Sequence, residues 1–370
     1  MRDSSQQVVL PPTKAFNQSR VKSFLRCRQQ YYYRYDYPRL EMGIKDGELV
    51  ATKPGVGLRR GSWMHELQEA HWLQVAGIKK GGWEKRHKKL TAEFNKLFDE
   101  EKERLGDLPT ECANMFSGYL RYYKDEDERF KIATLPDGKP AIEFIITVPL
   151  KKFGLKGSLK GKIDLMVEDL EYGNLWVRDG KWVKSIPNPD ERMMSPQNII
   201  YGWGLKKLGF DLGGFIYDYG RTKVPTEPTI LKSNTKYGPA GSVSLARCDT
   251  TYAVYLAAIK RAHGDEWKRF VKNRYRDKLE ELKNRDVLWF RRERIPLEGP
   301  RMKFGFHEFI LACREIERRG DPIRTYLYNC KWNCDYHDLC VADFQGLDVE
   351  PLIKHNYKME AERYGTEEIE

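Results

Sequence analysis

The sequence contains no run of 18 apolar residues, so it offers no segment long enough to cross a bilayer as a helix. Its opening residues, MRDSSQQVVLPPTK, hold no apolar core of signal-peptide length. The expectation is a cytoplasmic protein without membrane association. No internal repeat and no low-complexity block occurs, which argues against repeat and linker-dominated architectures. Cysteine is sparse, at 7 of 370 residues. In a reducing compartment these thiols stay free, so a group of them points to metal and not to disulfides. Acidic residues are the minority: 54 Asp and Glu stand against 65 Lys and Arg, for a net charge of +11. That excess favours a polyanionic partner such as nucleic acid.

What is present is enough for a large core, with 40% apolar and 12% aromatic residues. The length suits one large domain with insertions, or a core plus a helical lobe. Ser19 is the expected cap of a helix, VKSFLRCRQQYYYRY, with Phe24, Cys27 and Tyr31 on one face. Residues 37–58 read as a loop. Helices are expected from Arg60, over Trp83–Leu105 and over Thr110–Phe130. The period then changes. AIEFIITVPL, GSLKGKIDLMVE and NLWVRDGK read as strands, followed by a helix, PQNIIYGWGLKKLG, capped by Ser195, and a further strand, GGFIYDYG. Residues 221–248 read as a loop or insertion. Two helical stretches follow, Thr250–Arg285 and Lys303–Arg319. The expected division is an N-terminal segment 1–36, a helical lobe 37–135, a strand-rich α/β core 136–248, C-terminal helices and cysteines 249–345, and a polar tail 346–370.

Two constellations carry chemistry. Asp164 lies in GKIDLMV, and Asp179-Gly180-Lys181 follows fifteen residues later. On adjacent antiparallel strands the two carboxylates would meet and bind Mg²⁺ or Mn²⁺. Such an ion activates water and stabilises charge on a phosphate. Lys181, two residues from Asp179, projects to the same face. Asp179-Gly180 is equally a good turn. His65 on the preceding helix is a possible nitrogen ligand or an ordinary core histidine. Gln197 and Tyr201, four apart, share one helix face. Lys151, Lys152, Lys156, Lys160 and Lys162 flank the pair and would attract a phosphate backbone, or are solvated strand faces. The second constellation is Cys330, Cys334 and Cys340. Its fourth ligand is open among Cys27, Cys112, Cys248, Cys313 and His337, and the metal between zinc and an iron–sulfur cluster.

Together these pieces resemble one family. Ser19 precedes Phe24-Leu25-x-Cys27 and a run of aromatics. Gly61-x-x-x-His65-Glu66, Gly161-x-x-Asp164, Asp179-x-Lys181 and Gln197-x-x-x-Tyr201 follow, and the cysteine triplet comes last. The order is similar to the RecB-like branch of the PD-(D/E)XK nucleases that carry an iron–sulfur cluster, among them CRISPR-associated, AddB-type and phage-encoded exonucleases. The resemblance spans about residues 19–345. It implies a restriction-endonuclease-like fold: a central mixed β-sheet flanked by helices, with a cluster joining the N- and C-terminal segments. His65, Asp164, Asp179 and the Gly180 carbonyl would hold Mg²⁺ or Mn²⁺, and Lys181 would be the catalytic lysine. Gln197 and Tyr201 would line the DNA path. Cys27, Cys330, Cys334 and Cys340 would hold a [4Fe–4S] cluster. Lys160, Lys162, Arg221 and Lys223 would lie near the DNA backbone. The implied activity is a metal-dependent DNA exonuclease of phage or bacterial recombination, repair or DNA processing, with linear DNA as partner and an oligomer compatible with it. Two other readings are a non-catalytic DNA-binding adaptor that keeps the fold and cluster, and an unrelated zinc-containing nucleic-acid-binding protein.

Overall fold

The computed structural model describes residues 15–44, 47–53, 55–223, 225–285, 289–318 and 320–360. A short strand, β1 (Ala15–Phe16), leads into helix α1 (Gln18–Arg26). Asn17 caps that helix, its side chain accepting from the Arg20 N–H at 2.7 Å, so Ser19 lies inside the first turn and is not the cap. The expected single helix is broken at Cys27, which is extended at φ −163° and ψ 117°. The chain restarts as α2 (Arg28–Tyr31), a π-helical turn over Tyr32–Asp36, and α3 (Tyr37–Leu40). Residues 37–58 are therefore no simple loop: they hold α3, strand β2 (Glu48–Ala51) and the start of α4 (Val56–Val75). The charged stretch after α4 forms two helices, α5 (Gly82–Asn95) and α6 (Asp99–Leu105), and α7 (Leu108–Asp127) completes a helical lobe around Leu67, Phe116 and Tyr119.

The sheet begins with β3 (Phe130–Ile132), β4 (Ile142–Pro149), β5 (Ser158–Asp169) and β6 (Leu175–Val183). Helices α8 (Pro189–Met193) and α9 (Pro196–Lys207) cross over to β7 (Leu212–Arg221), which is parallel to β6. An insertion then carries α10 (Tyr252–His263), α11 (Trp267–Phe270) and α12 (Arg276–Arg285) before β8 (Phe290–Pro296) returns antiparallel to β7. Helices α13 (Gly299–Arg318), α14 (Cys330–Asn333), α15 (His337–Phe344) and α16 (Glu350–Asn356) precede β9 (Tyr357–Glu360). The stretch expected as a polar tail thus contributes a helix and a strand as far as Glu360. In the seven-stranded mixed sheet β5 is the hub, pairing with β1, β3, β4 and β6. One face packs on α9 and α13 through Ile199, Ile200, Leu205, Phe309 and Ile310. The other packs on α4 through Trp72, Leu165, Val167, Trp176 and Ile216.

A buried ionic network fastens α7 to three strands. Asp218 of β7 lies 2.5 Å from both Arg178 Nε and Arg292 Nε, and Asp127 of α7 lies 2.8 Å from both guanidinium groups. The Tyr119 hydroxyl donates to Asp218 at 2.7 Å. Burial alone would raise the Asp218 carboxyl, but the two arginines outweigh it and hold it at about 2. Every charge here has a hydrogen-bonded counter-charge, the condition under which buried ions are tolerated. The network fixes α7, and with it α4, against the sheet.

The two chain ends are clasped. Strands β2 and β9 pair antiparallel, with Leu49 opposite Met359. Arg26 donates to the Asn333 carbonyl at 2.6 Å and Tyr33 to Asp343 at 2.6 Å. Tyr32, Tyr33, Leu49, Tyr336, Leu339, Ile353 and Tyr357 share one small core.

Candidate active site

Asp164 and Asp179 stand at a fork in the sheet. The β5–β6 pairing starts at Leu165 opposite Arg178, and the residue before Leu165 and the residue after Arg178 are these two aspartates. Beyond them β6 continues on β7 alone, with Asp179 opposite Tyr217 and Lys181 opposite Tyr219. On that same edge β5 pairs with β1 at Ser158 and Leu159. A carboxylate from each strand therefore faces the gap. Asp179-Gly180 lies inside a continuous strand, which removes the turn reading.

The other side chains converge on this gap. His65, from the middle of α4, places Nδ1 3.3 Å from Asp164 Oδ2. Lys181 Nζ lies 2.5 Å from Asp179 Oδ2 and donates to Gln197 Oε1 at 3.2 Å. Four residues spread over more than 100 positions of the chain, together with Gln197 at the start of α9, thus form one connected group. Burial drives the Asp179 carboxyl up to about 6, assisted by the charge on Asp164 and opposed by Lys181. Burial acts the same way on Asp164, but the His65 hydrogen bond and charge outweigh it and hold that carboxyl at about 2. Burial would lower the His65 imidazole, yet its bond to Asp164 raises it. Two carboxylates pushed in opposite directions share one site, a frequent signature of functional sites.

Gly180 has a steric reason. A Cβ there would sit 2.2 Å from Gln68 Oε1, because Gln68 reaches from α4 to accept from Trp182 Nε1 at 3.3 Å. Gly180→Ala is expected to cost about 1–3 kcal/mol of stability, as overpacking does. Adding Gln68→Ala should recover most of it. Chemical denaturation of the two single variants and the double variant measures this coupling, and strictly additive losses would exclude the clash.

The remaining expected residues fall in different places. Tyr201 is buried, its ring filling the space over Gly161, where a Cβ would meet it at 2.7 Å. It packs α9 onto β5 and does not line an open DNA path. Lys162 pairs with Glu143 at 2.7 Å. Lys160 is half-buried, whereas Lys151, Lys152 and Lys156 are exposed. Arg221 and Lys223 are not free cations: both bind Asp249, at 3.1 and 2.6 Å.

Sequence reasoning passed over Gln68, Glu69 and Glu143, which line the same cleft as His65, Asp164 and Gly180. Glu69 was findable, being four residues from His65 on one helix. Glu143 was not, because only the β4–β5 register sets it between Ile142 and Phe144, which pair with Leu165 and Ile163 on either side of Asp164. It is the only non-glycine residue with positive φ among those described, at 50°. That backbone costs about 1–3 kcal/mol in general and is typical of functional sites. Burial, then the Asp164 charge, raises the Glu143 carboxyl to about 7.

Cys27, Cys330, Cys334 and Cys340 line one cavity of about 390 Å³. The Thr325 N–H points at Cys27 Sγ from 3.5 Å, and Arg324 Nε at Cys340 Sγ from 3.4 Å. Cys112 and Cys313 are buried in apolar cores, and Cys248 packs in the insertion. Among the described residues, no group of three or more His, Cys, Asp or Glu side chains is already spaced to hold an ion. No helix among them is long and apolar enough to cross a membrane.

No curated protein matches the sequence. Among solved structures, a candidate exonuclease from Eubacterium rectale is similar at 13% identity and a TM-score of 0.41, over 86% of this chain and 88% of that one. The sequence pattern of the PD-(D/E)XK nuclease superfamily matches residues 15–340. With that match covering most of the chain and the mixed α/β sheet beneath it, the protein belongs to the PD-(D/E)XK nuclease superfamily.

Proposed function

We propose that this protein is a divalent-metal-dependent DNA exonuclease of the RecB-like, iron–sulfur type, acting on DNA ends in the cytoplasm during phage or bacterial recombination, repair or DNA processing. The observation that carries the reading is the convergence of His65, Asp164, Asp179 and Lys181 at the β5–β6 fork.

The residues present fit Mg²⁺ or Mn²⁺. Asp164 Oδ2 and Asp179 Oδ2 are buried, and each is approached by one cationic partner, His65 and Lys181 respectively. The two oxygens are hard donors, the imidazole nitrogen is a borderline one better suited to Mn²⁺ than to Mg²⁺, and the Gly180 carbonyl would add a further oxygen. The ion, when bound, supplies Lewis-acid stabilisation of the phosphate and a more acidic water. Lys181 supplies a fixed cation where negative charge grows on the phosphate oxygens, and Gln197 orients it. Tyr201 holds α9, and so Gln197, against β5. The cysteines fit an iron–sulfur cluster: four sulfurs share one cavity, and two N–H donors aim at them, as donors do at cluster thiolates.

The test is digestion of end-labelled linear and circular DNA with Mn²⁺ or Mg²⁺, by anaerobically purified protein and by Lys181→Ala. Loss of the linear DNA alone, by the wild type alone, supports the exonuclease. DNA binding without digestion under either metal would replace it with the adaptor reading.

The shifted carboxyl sets a pH dependence. A proton on Asp179 competes with the ion, and its carboxyl sits at about 6. The raised His65 imidazole adds a second competing proton. Mn²⁺ affinity should therefore fall as pH drops through 6, by about tenfold per unit and per proton displaced. Titration of Mn²⁺ by calorimetry at pH 5, 6, 7 and 8 measures it, and an affinity flat from pH 5 to 7 would contradict the carboxylate site.

A further inference from the structure

The segment between β7 and β8 is a small unit of its own. It leaves the sheet at Arg221, which pairs with Val183, two residues beyond the Lys181–Tyr219 pair. That is about 7 Å along a strand from the catalytic lysine. Its root is pinned: Arg221 binds both oxygens of Asp249 at 3.2 and 3.1 Å and lies 4.5 Å over the Trp289 ring, and the Thr226 N–H donates to the Asp249 carbonyl at 2.7 Å. Inside, Val243, Tyr255, Ala258, Ile259, Tyr275, Leu279 and Leu282 build a separate core.

Its charge is lopsided. Residues 226–285 hold 13 Lys and Arg against 7 Asp and Glu, more than half of the net +11 of the whole chain. The helical stretch from α11 through α12 buries Tyr275, Leu279 and Leu282 and turns Lys268, Arg269, Lys272 and Arg276 outward, all exposed. Lys268, Arg269 and Lys272 have no carboxylate within ion-pair distance among the described residues, and Arg276 meets only its exposed neighbour Asp277. Lys268, Lys272 and Arg276 recur every four residues along a stretch whose middle, Val271–Tyr275, is a π-helical turn, so they follow one side of it over about 12 Å or slightly less. Over that length one strand of a DNA duplex presents three to four phosphates, at about 3.4 Å of rise each. Three solvated cations in a row, with Arg269 beside the first, on a unit rooted beside the catalytic lysine, match the charge of a phosphate backbone.

We propose that this inserted unit is a DNA-tracking surface: Lys268, Arg269, Lys272 and Arg276 hold the phosphate backbone of the duplex that extends away from the scissile bond. Arg221 and Lys223 serve it indirectly, by fixing the unit to the sheet. The inference rests on the nuclease reading for its substrate, but binding and cleavage test the two separately.

The experiment uses the full-length protein and a variant with Lys268, Arg269, Lys272 and Arg276 all changed to alanine. Fluorescence anisotropy with a labelled 30-base-pair duplex in EDTA gives Kd across a salt series. The slope of log Kobs against log salt should shrink in magnitude by about 3 to 4, and Kd should weaken by at least about tenfold near physiological salt. Cleavage of a four-nucleotide oligomer, which has at most three phosphates to share between the site and the row, should fall far less than binding of the duplex. A variant changing only Lys268→Arg and Lys272→Arg should keep the wild-type slope. An unchanged slope, or an equal loss on the tetranucleotide, would overturn the proposal. A reduced slope in a protein that cleaves nothing would leave the tracking surface standing and remove the nuclease reading.

Discussion

Lys181→Ala should lower metal-dependent DNA hydrolysis by about 10²–10³-fold, the usual cost of removing one preorganised group that stabilises transition-state charge. Mn²⁺ binding at pH 8 should survive. The two effects separate because the residues around the fork contribute differently. Asp164 and Asp179 offer oxygens, and Lys181 offers charge. Lys181 Nζ lies 2.5 Å from Asp179 Oδ2 and 3.2 Å from Gln197 Oε1, so it is held in place before substrate arrives. Its removal also takes away a cation that lowers the Asp179 carboxyl. That carboxyl should then rise further, and the pH window for Mn²⁺ binding should move upward with it. Asp164→Asn is the contrasting variant: it removes a charged oxygen donor and should lose binding and hydrolysis together. Lys181→Arg should not restore the rate, since a planar guanidinium does not reproduce a compact ammonium held in a narrow gap. Single-turnover rates on end-labelled linear DNA, with calorimetric Mn²⁺ titration beside them, read all three. Undiminished hydrolysis by Lys181→Ala would sink the assignment of this lysine.

The parts of this site legible in the sequence are those fixed by short spacing. Asp179 and Lys181 alternate on one strand, and Gly161 and Asp164 travel together on another. What two strands do to each other was not legible. The β5–β6 fork depends on pairing that stops at Leu165, and no local signal marks it. Glu143 enters the cleft only through the β4–β5 register. Strand β8, FRRERIP, alternates badly because its arginines face buried carboxylates: Arg292 meets Asp218, and Arg294 meets Asp169 at 2.8 Å. The hydrophobic rule for strands fails where the neighbour's side chain is an ion. The opening helix failed for a related reason. Helix-forming residues run through Cys27, but the backbone opens there, at the wall of the cysteine cavity. The family resemblance implies Arg221 and Lys223 near the DNA backbone, and a motif does not show that Asp249, 26 and more residues on, pairs with both.

Changing Cys330 to serine should strip the brown colour from anaerobically purified protein and destabilise it by about 2–5 kcal/mol, the range seen on removing a native cross-link. The loss follows from chain closure. Cys27 stands near one end and Cys330, Cys334 and Cys340 near the other, so a shared group would close most of the chain into a loop. Around it lie a four-residue strand pair, the Arg26 and Tyr33 bonds, the Tyr336 hydroxyl donating to the Leu49 carbonyl, and a small aromatic core. Burial pushes the Cys334 thiol up to about 11. An ion that binds thiolates must therefore displace protons, and its binding free energy becomes folding free energy. Cysteine cavity and catalytic cleft have no lining residue in common, so the variant should lose stability and solubility before the residual folded fraction loses its rate per molecule. Visible absorbance, iron and zinc content, thermal melting and specific activity, measured on one preparation, separate the outcomes. Colourless wild-type protein with one equivalent of zinc would replace the cluster by a zinc site and keep the clasp. A Cys330→Ser protein as stable as the wild type would remove the metal from the clasp, because closure through a metal must cost stability when it is lost.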